Sequence, residues 1–321
     1  MTNRVEKILG IKKPVIQGAM AFTSLAPLVS AVSNAGGLGV LGVGYMPKDA
    51  SIVEIEKTKK LTNKPFAVNV IMQEGLVEQA DEVLEETQPP VVYADAMRLN
   101  DSLCQKYFPI WQKKGMKIIV KASYLKDAIT AEKAGANLVI AKGWEGGGHV
   151  SFESTMALVP QIVNAISVPI IAAGGIVDGR SGAAAFALGA EGIEMGTAFL
   201  VSDELSINSR AKDAIIAAGD MSTVEVSYAN DAPFRMIANK LSEQIRKTEA
   251  THLKKAAAEK EQGLDADAIR MGMYQGDTEN GAIMVGQDLA LIKSRKSAKQ
   301  IIDDVLGDTR KVLDSLNDIE F

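Results

Sequence analysis

The chain has 321 residues, 47% hydrophobic and 23% charged, a balance that suits a globular enzyme and excludes a disordered or fibrous protein. Its 35 Lys and Arg against 40 Asp and Glu leave a net charge of -5, so no basic field exists to hold nucleic acid or an anionic membrane surface. One cysteine and two histidines exclude an internal disulfide, a cysteine zinc site, an iron–sulfur cluster carried by this chain alone and a multi-histidine metal centre, which leaves redox chemistry to an organic cofactor.

In chain order, Met1–Lys13 is polar and lacks the apolar stretch of an export signal, and the expectation is a cytoplasmic protein. No apolar run reaches the ~18 residues that span a bilayer. From Pro14 to Val201, short apolar runs alternate with amphipathic stretches about every 20 to 30 residues, the rhythm of repeated βα units. Strands are predicted at Pro14–Gln17, Leu38–Leu41, Phe66–Val70, Val91–Tyr93, Lys117–Lys121, Leu138–Ala141, Pro169–Ala173 and Gly192–Met195. Most are continuous apolar runs, as strands buried on both faces require. Apolar residues at helical spacing lie between them, such as Leu28, Val32 and Ala35, or Val77, Ala80 and Leu84. The fold class is therefore α/β, a TIM (β/α)8 barrel.

After Asp203 no further strand is predicted. Residues 204–280 read as a helical lid or substrate domain, and 1–203, completed by about 281–321, as the barrel. The tract Lys254–Gln262 mixes both signs of charge and reads as a solvated helix face, with His252 a structural residue nearby. The glycine-punctuated segment Gly272–Gly286 leads to an amphipathic helix, Ala298–Leu316, that returns to the barrel.

Reacting groups of such barrels lie at the C-terminal strand ends. After the first strand, Gln17-Gly18-Ala19-Met20-Ala21 would let a flat ring approach the backbone; a tight turn is the competing reading. Asn69 is a polar residue inside the third apolar run, suited to pair with a heterocycle edge or simply to cap the strand. Ala173-Gly174-Gly175-Ile176 and Gly196-Thr197 follow the seventh and eighth strands and form paired backbone nests suited to a phosphate monoester. The sixth strand runs into Lys142-Gly-Trp-Glu-Gly146-Gly147-Gly148-His149, a glycine loop carrying the best acid/base candidate, His149. Lys121 and Lys142 are placed at the pocket in electrostatic or ring-contacting roles rather than as Schiff bases, and Cys104 is read as helix packing. Phe234 and Met236 are the apolar lid residues expected to shape a channel.

Pro14-Val-Ile-Gln-Gly-Ala-Met-Ala21, Asn34-Ala-Gly-Gly-Leu-Gly39, Lys64-Pro-Phe-Ala-Val-Asn69, Glu145-Gly-Gly-Gly-His149, Ile171-Ala-Ala-Gly-Gly-Ile176 with Asp178-Gly179, and Met195-Gly-Thr197 resemble the nitronate monooxygenase and enoyl-acyl carrier protein reductase II superfamily. The likeness runs in order over most of the chain, as far as Gly281–Gln287. The resemblance implies a barrel that binds FMN without a covalent link. Its phosphate would lie at Gly174, Gly175, Gly196 and Thr197, and its ring near Gly18, Ala19, Met20 and Asn69, with Lys142, Gly147 and Gly148 also in contact. His149 takes the acid/base role.

Three positions depart from the pattern: Lys142 stands where an acidic or amide residue is common, Gly146 where alanine is frequent, and Ala198 where arginine is common. The segment Gly276–Gln287 resembles the enoyl reductase branch, an NAD(P)H-dependent enoyl-acyl carrier protein reductase of type II fatty acid synthesis. The alternatives are nitronate oxidation with O2, NAD(P)H:quinone reduction, and an inactive flavin-binding protein. The implied partners are a small-molecule or carrier-protein-bound acyl substrate, with homodimerisation open and neither nucleic acid nor membrane involved.

Overall fold

A strand that is apolar on both sides needs cover on both faces, and a closed cylinder wrapped in helices supplies it. The computed structural model describes residues 3–228, 233–258 and 266–316, with the side chains of 251–258 left aside. Its parallel strands are β1 (Val15–Gln17), β2 (Leu38–Leu41), β3 (Phe66–Ile71), β4 (Val91–Asp95), β5 (Lys117–Ala122) and β6 (Leu138–Lys142), followed, after the short β7 (Gly148–His149) outside the wall, by β8 (Ile170–Ala173) and β9 (Gly192–Met195). These eight wall strands pair in chain order into a closed barrel, with β9 set against β1 so that Ile16 faces Glu194. The expected α/β barrel is the fold observed.

Side chains alternate along each strand. One set, which includes Ile16, Val40, Ala67, Tyr93, Ile119, Ile140 and Ile171, meets inside the cylinder. Its N-terminal end is plugged by Val5 and Leu9 of α1 (Arg4–Leu9). That helix starts where the Asn3 side chain accepts from the Val5 and Glu6 amides, and stops at Gly10 in the left-handed region. The other set packs beneath α2 (Ala26–Asn34), α3 (Lys48–Leu61), α4 (Leu76–Thr87), α5 (Asp101–Lys113), α6 (Leu125–Lys133), α7 (Thr155–Ala165) and α8 (Gly179–Ala187). Cys104 is buried on α5, where burial pushes its thiol up to about 12, as a packing residue requires.

The last wall strand leads only into the short α9 (Thr197–Leu200), and the place of a final barrel helix is taken by α13 (Ala298–Ser315), lying against α8 and α2. Glycine permits the α8 approach: a Cβ on Gly179 would fall 2.4 Å from Asp308, and one on Gly182 2.3 Å from the Thr309 hydroxyl oxygen.

Between barrel and α13, the expectation of helices without strands is corrected. After α10 (Ser209–Ala217) come β10 (Thr223–Val226) and β11 (Phe234–Ile237), an antiparallel pair that continues onto β7 with Phe234 opposite His149 and Arg235 opposite Gly148. Each is only four residues long and half-buried, and their third partner lies far away in sequence, so no local run marked them. Helix α11 (Lys240–Ala258) and α12 (Ala266–Ile269), which runs into a π-helical turn at Arg270–Gln275, complete the lid. The side chains of His252 and of the tract Lys254–Gln262 lie outside the described residues. Among the described residues no helix is long and apolar enough to cross a membrane.

Candidate active site

At the C-terminal ends of the strands lies a cavity of about 990 Å³. Every residue expected to contact the cofactor, and the acid/base candidate, borders it: Gly18, Ala19 and Met20 after β1, Asn69 on β3, Lys142, Gly147, Gly148 and His149 along the β6 loop, Gly174 and Gly175 after β8, and Gly196 and Thr197 after β9. Phe234 borders it too, whereas Met236 is fully buried in the core and lines no part of it, which corrects the expectation that both shape a channel.

The floor follows from the two-residue period of the wall. Inward positions that are apolar low in the barrel become polar at its top: Asn69 after Ala67, Asp95 after Tyr93, Lys121 after Ile119, Lys142 after Ile140, and Glu194 on β9. Lys121 Nζ pairs with Asp95 Oδ1 at 2.5 Å, both largely buried. The Tyr93 hydroxyl donates to Glu194 Oε2 at 2.9 Å, and burial pushes the tyrosine far up. Burial also pushes the Glu194 carboxyl upward, against the Tyr93 hydrogen bond and the nearby Lys142. Gly18 lies directly against this carboxylate, since a Cβ there would fall 3.1 Å from it. Burial and the neighbouring Lys121 push Lys142 downward.

The rim is built from backbone. Gly174 and Gly175 have φ of 93° and 71°, which L side chains resist, and a Cβ on Gly174 would fall 2.9 Å from the Gly143 oxygen. Glu145 fixes this corner: its carboxylate accepts from the Thr155 amide at 2.9 Å and from the Thr155 hydroxyl at 2.8 Å, at the start of α7. Gly196 faces open space, with nothing within 4 Å of a Cβ placed there. The Thr197 hydroxyl accepts from the Gly286 amide at 2.9 Å, which draws the 281–287 segment over the cavity. Next to it, burial pushes the Asp288 carboxyl up to about 7 against a hydrogen bond from Thr197, and its Oδ1 has no hydrogen-bond partner among the described residues.

His149 sits on β7 rather than on a free loop, its ring centroid 3.6 Å from that of Phe234. Lys142 Nζ donates to the backbone oxygens of Gly147 and His149, each at 2.8 Å. Arg235, only 1% exposed, pairs with Glu225 and donates to the Trp144 oxygen at 3.1 Å and the Thr223 hydroxyl at 3.2 Å, which ties the ribbon to the glycine loop.

Sequence reasoning passed over Arg235, Glu194, Tyr93, Asp95 and Asp288. For Glu194 a signal existed, a single charge inside Gly192-Ile-Glu-Met195, a strand otherwise apolar and buried along its whole length. Arg235 offered none, because burial of an arginine depends on partners distant in sequence.

A family model for nitronate monooxygenase matches residues 2–97 and 106–308. A Staphylococcus aureus (strain JH9) protein named "Probable nitronate monooxygenase" is 32% identical over 309 residues, 77% of this chain and 87% of that one. One of the same name from Staphylococcus saprophyticus is 34% identical over 281 residues, 74% and 79% of the two chains. Among solved structures, FabK from Thermotoga maritima superposes with a TM-score of 0.91 at 35% identity over 99% of both chains. A nitroalkane oxidase from Streptomyces ansochromogenes gives 0.79 at 25% identity, covering 98% of this chain and 99% of that one. With its fold and most of its length matched, this chain belongs to the nitronate monooxygenase family and is a flavin-dependent oxidoreductase.

Proposed function

We propose that the cavity holds FMN and that the protein reduces a 2-enoyl thioester, small or carried on acyl carrier protein, with NAD(P)H as donor. The observation that carries this reading is an apolar wall: Leu200, Phe234, Ile269, Met273 and Met284 border the same cavity as His149. Such a wall suits an extended acyl chain better than a small, charged nitronate. The nearness of the Thermotoga maritima FabK structure, an enoyl-acyl carrier protein reductase II, favours the same branch.

The residues present fit FMN. The left-handed turn at Gly174 and Gly175 and the open face of Gly196 form a cradle that any side chain would fill, and with Thr197 they would hold the phosphate. Gly18, Ala19, Met20 and Asn69 would meet the ring, with Gly147 and Gly148 above it. FMN would supply a two-electron carrier that takes hydride from NAD(P)H and passes it to the substrate's β-carbon. The ammonium of Lys121, held by Asp95, supplies positive charge where the site gains electrons. His149 delivers the proton to the α-carbon, the general-acid role an imidazole can take at neutral pH.

The family match itself favours a second reading, nitronate oxidation by O2, in which His149 acts as the base. Anaerobic reduction of the yellow protein by NADH or NADPH, followed by mixing with crotonyl thioester, an alkyl nitronate or a quinone, decides between them. Fastest return of the oxidised spectrum with the thioester is the expected result; fastest return with quinone, or nitronate turnover under O2 with no response to thioester, would overturn it.

A further inference from the structure

Three consecutive glycines precede His149, and they bring no side chain with which to pack. The backbone of this loop must therefore be held from outside, and the structure shows how. Lys142 rises from the end of β6 and places its Nζ between the Gly147 and His149 oxygens, 2.8 Å from each. Its stem runs through the space a side chain on Gly146 would need: a Cβ there would lie 2.6 Å from Lys142 Cε and 3.5 Å from Nζ. Two of the three departures from the superfamily pattern, Lys142 and Gly146, are thus one structural unit, the glycine making room for the lysine.

We infer that Lys142 is a positioning residue, a charged clamp that sets the place of His149 by holding the two carbonyls on either side of Gly148, and that weakens when the ammonium loses its proton. This rests on the reading of His149 as the acid/base group. An ammonium offers three strong donors, and hydrogen bonds from a charged donor are worth roughly twice those from a neutral one. The groups that govern its charge come from every strand around it: Lys121 from β5, Asp95 from β4, Glu194 from β9 and Arg235 from β11, with His149 itself held across the clamp on β7. Two cations oppose the charged form and two carboxyls favour it. Because Tyr93 holds Glu194 by a hydrogen bond, the counter-charge is fixed in place and its protonation is felt at the clamp.

The test uses the flavin-loaded protein and the variants Lys142→Met and Gly146→Ala. The first keeps the stem and removes the charge; the second keeps the charge and crowds the stem. Amide hydrogen exchange read by mass spectrometry should rise about ten- to a hundredfold across residues 146–150 in Lys142→Met, the loss expected for two bonds from a charged donor. The β3 and β5 amides should not change. In the wild type, exchange in this loop, corrected for its intrinsic pH dependence, should rise above neutral pH, and the basic limb of the kcat profile should follow it; both pH effects should vanish in Lys142→Met. Gly146→Ala should loosen the same segment at every pH.

Wild-type exchange in Lys142→Met, loosening spread through the barrel, or an unchanged basic limb would each overturn the clamp. If His149→Ala kept full turnover while Lys142→Met loosened the loop as described, the functional reading would fall and the clamp would stand.

Discussion

The floor and the roof of the cavity are built on opposite plans. The floor is a ring of polar side chains, Asn69, Asp95, Lys121, Lys142 and Glu194, each projecting from a strand of the barrel wall. The roof is mostly backbone: the glycine loop before His149, the β10–β11 ribbon and the 281–287 segment, in which Gly147 passes so close to Val285 that a Cβ would fall 2.6 Å from its carbonyl carbon. Charge placed on a floor of rigid strands keeps its anchor point on the wall. Side chains on the roof owe their place to a few ties, chiefly Lys142 and Arg235. Floor substitutions other than at Lys142, which reaches up to the roof, should therefore change affinity and electrostatics, and substitutions at the roof or its ties should change position.

The contrast is most exposed at His149. Replacement by alanine is expected to slow turnover by roughly 10²- to 10⁴-fold, with FMN still bound because the proposed phosphate cradle lies on the rim, away from His149. Steady-state kinetics alongside flavin absorbance measure both; full turnover would remove the acid/base role from the roof altogether.

Arg235→Ala attacks the roof's other tie. It leaves Glu225 without its ion-pair partner and the Trp144 oxygen without a donor. Breaking a buried ion pair costs about 3–5 kcal/mol, and because Glu225 is 20% exposed the lower figure applies. Urea unfolding should show that loss, and turnover should fall with it because β7 pairs with β11. A loss of stability with turnover intact would mean that the ribbon does not place His149.

Legibility in the sequence divides along the same line. The wall strands stood out because burial on both faces favours runs of mostly apolar residues, and the rim glycines because Gly174 and Gly175 take left-handed φ that other residues resist. The ribbon was invisible: Thr223–Val226 and Phe234–Ile237 mix polar and apolar residues over four positions, and β7 is two residues long. Their pairing is decided by tertiary contact, which no local window contains. Glu194 and Asp95 were missed for a different reason. Their signal is the two-residue period rather than an apolar run: it places Asp95 on the inner face two positions past Tyr93, where the predicted strand ends, and Glu194 on the inner face two positions before Gly196.

At the rim, Gly175→Val sharpens the comparison by introducing strain without charge. A β-branched residue held at a φ of 71° costs roughly 1–3 kcal/mol, and its side chain would crowd both Glu145 and the proposed phosphate position. FMN content of the purified protein should drop well below that of the wild type while the barrel still folds. Full occupancy would show that this loop does not bind phosphate.

The smallest effect tests a carboxyl where roof meets rim. Asp288 lies on the roof segment beside Thr197, and burial pushes it up to about 7 from an ordinary 3.8. A folded state that binds this proton more tightly than the unfolded chain is favoured at low pH. The contribution is fully present below about 4, the unfolded value, and is lost as pH rises through about 7. Asp288→Asn carries no charge at any pH, keeps an oxygen to accept from Thr197, and should flatten this part of the melting-temperature profile between pH 4 and 8 while leaving the slopes due to other groups. In the wild type the ionised carboxylate would also repel a phosphate held at Thr197, so FMN should be retained less well above neutral pH than below it, and the asparagine variant should lose that difference. If neither profile differs between the two proteins, Asp288 is ionised and hydrated in the folded state, and roof and rim meet only through hydrogen bonds such as that from Gly286 to Thr197.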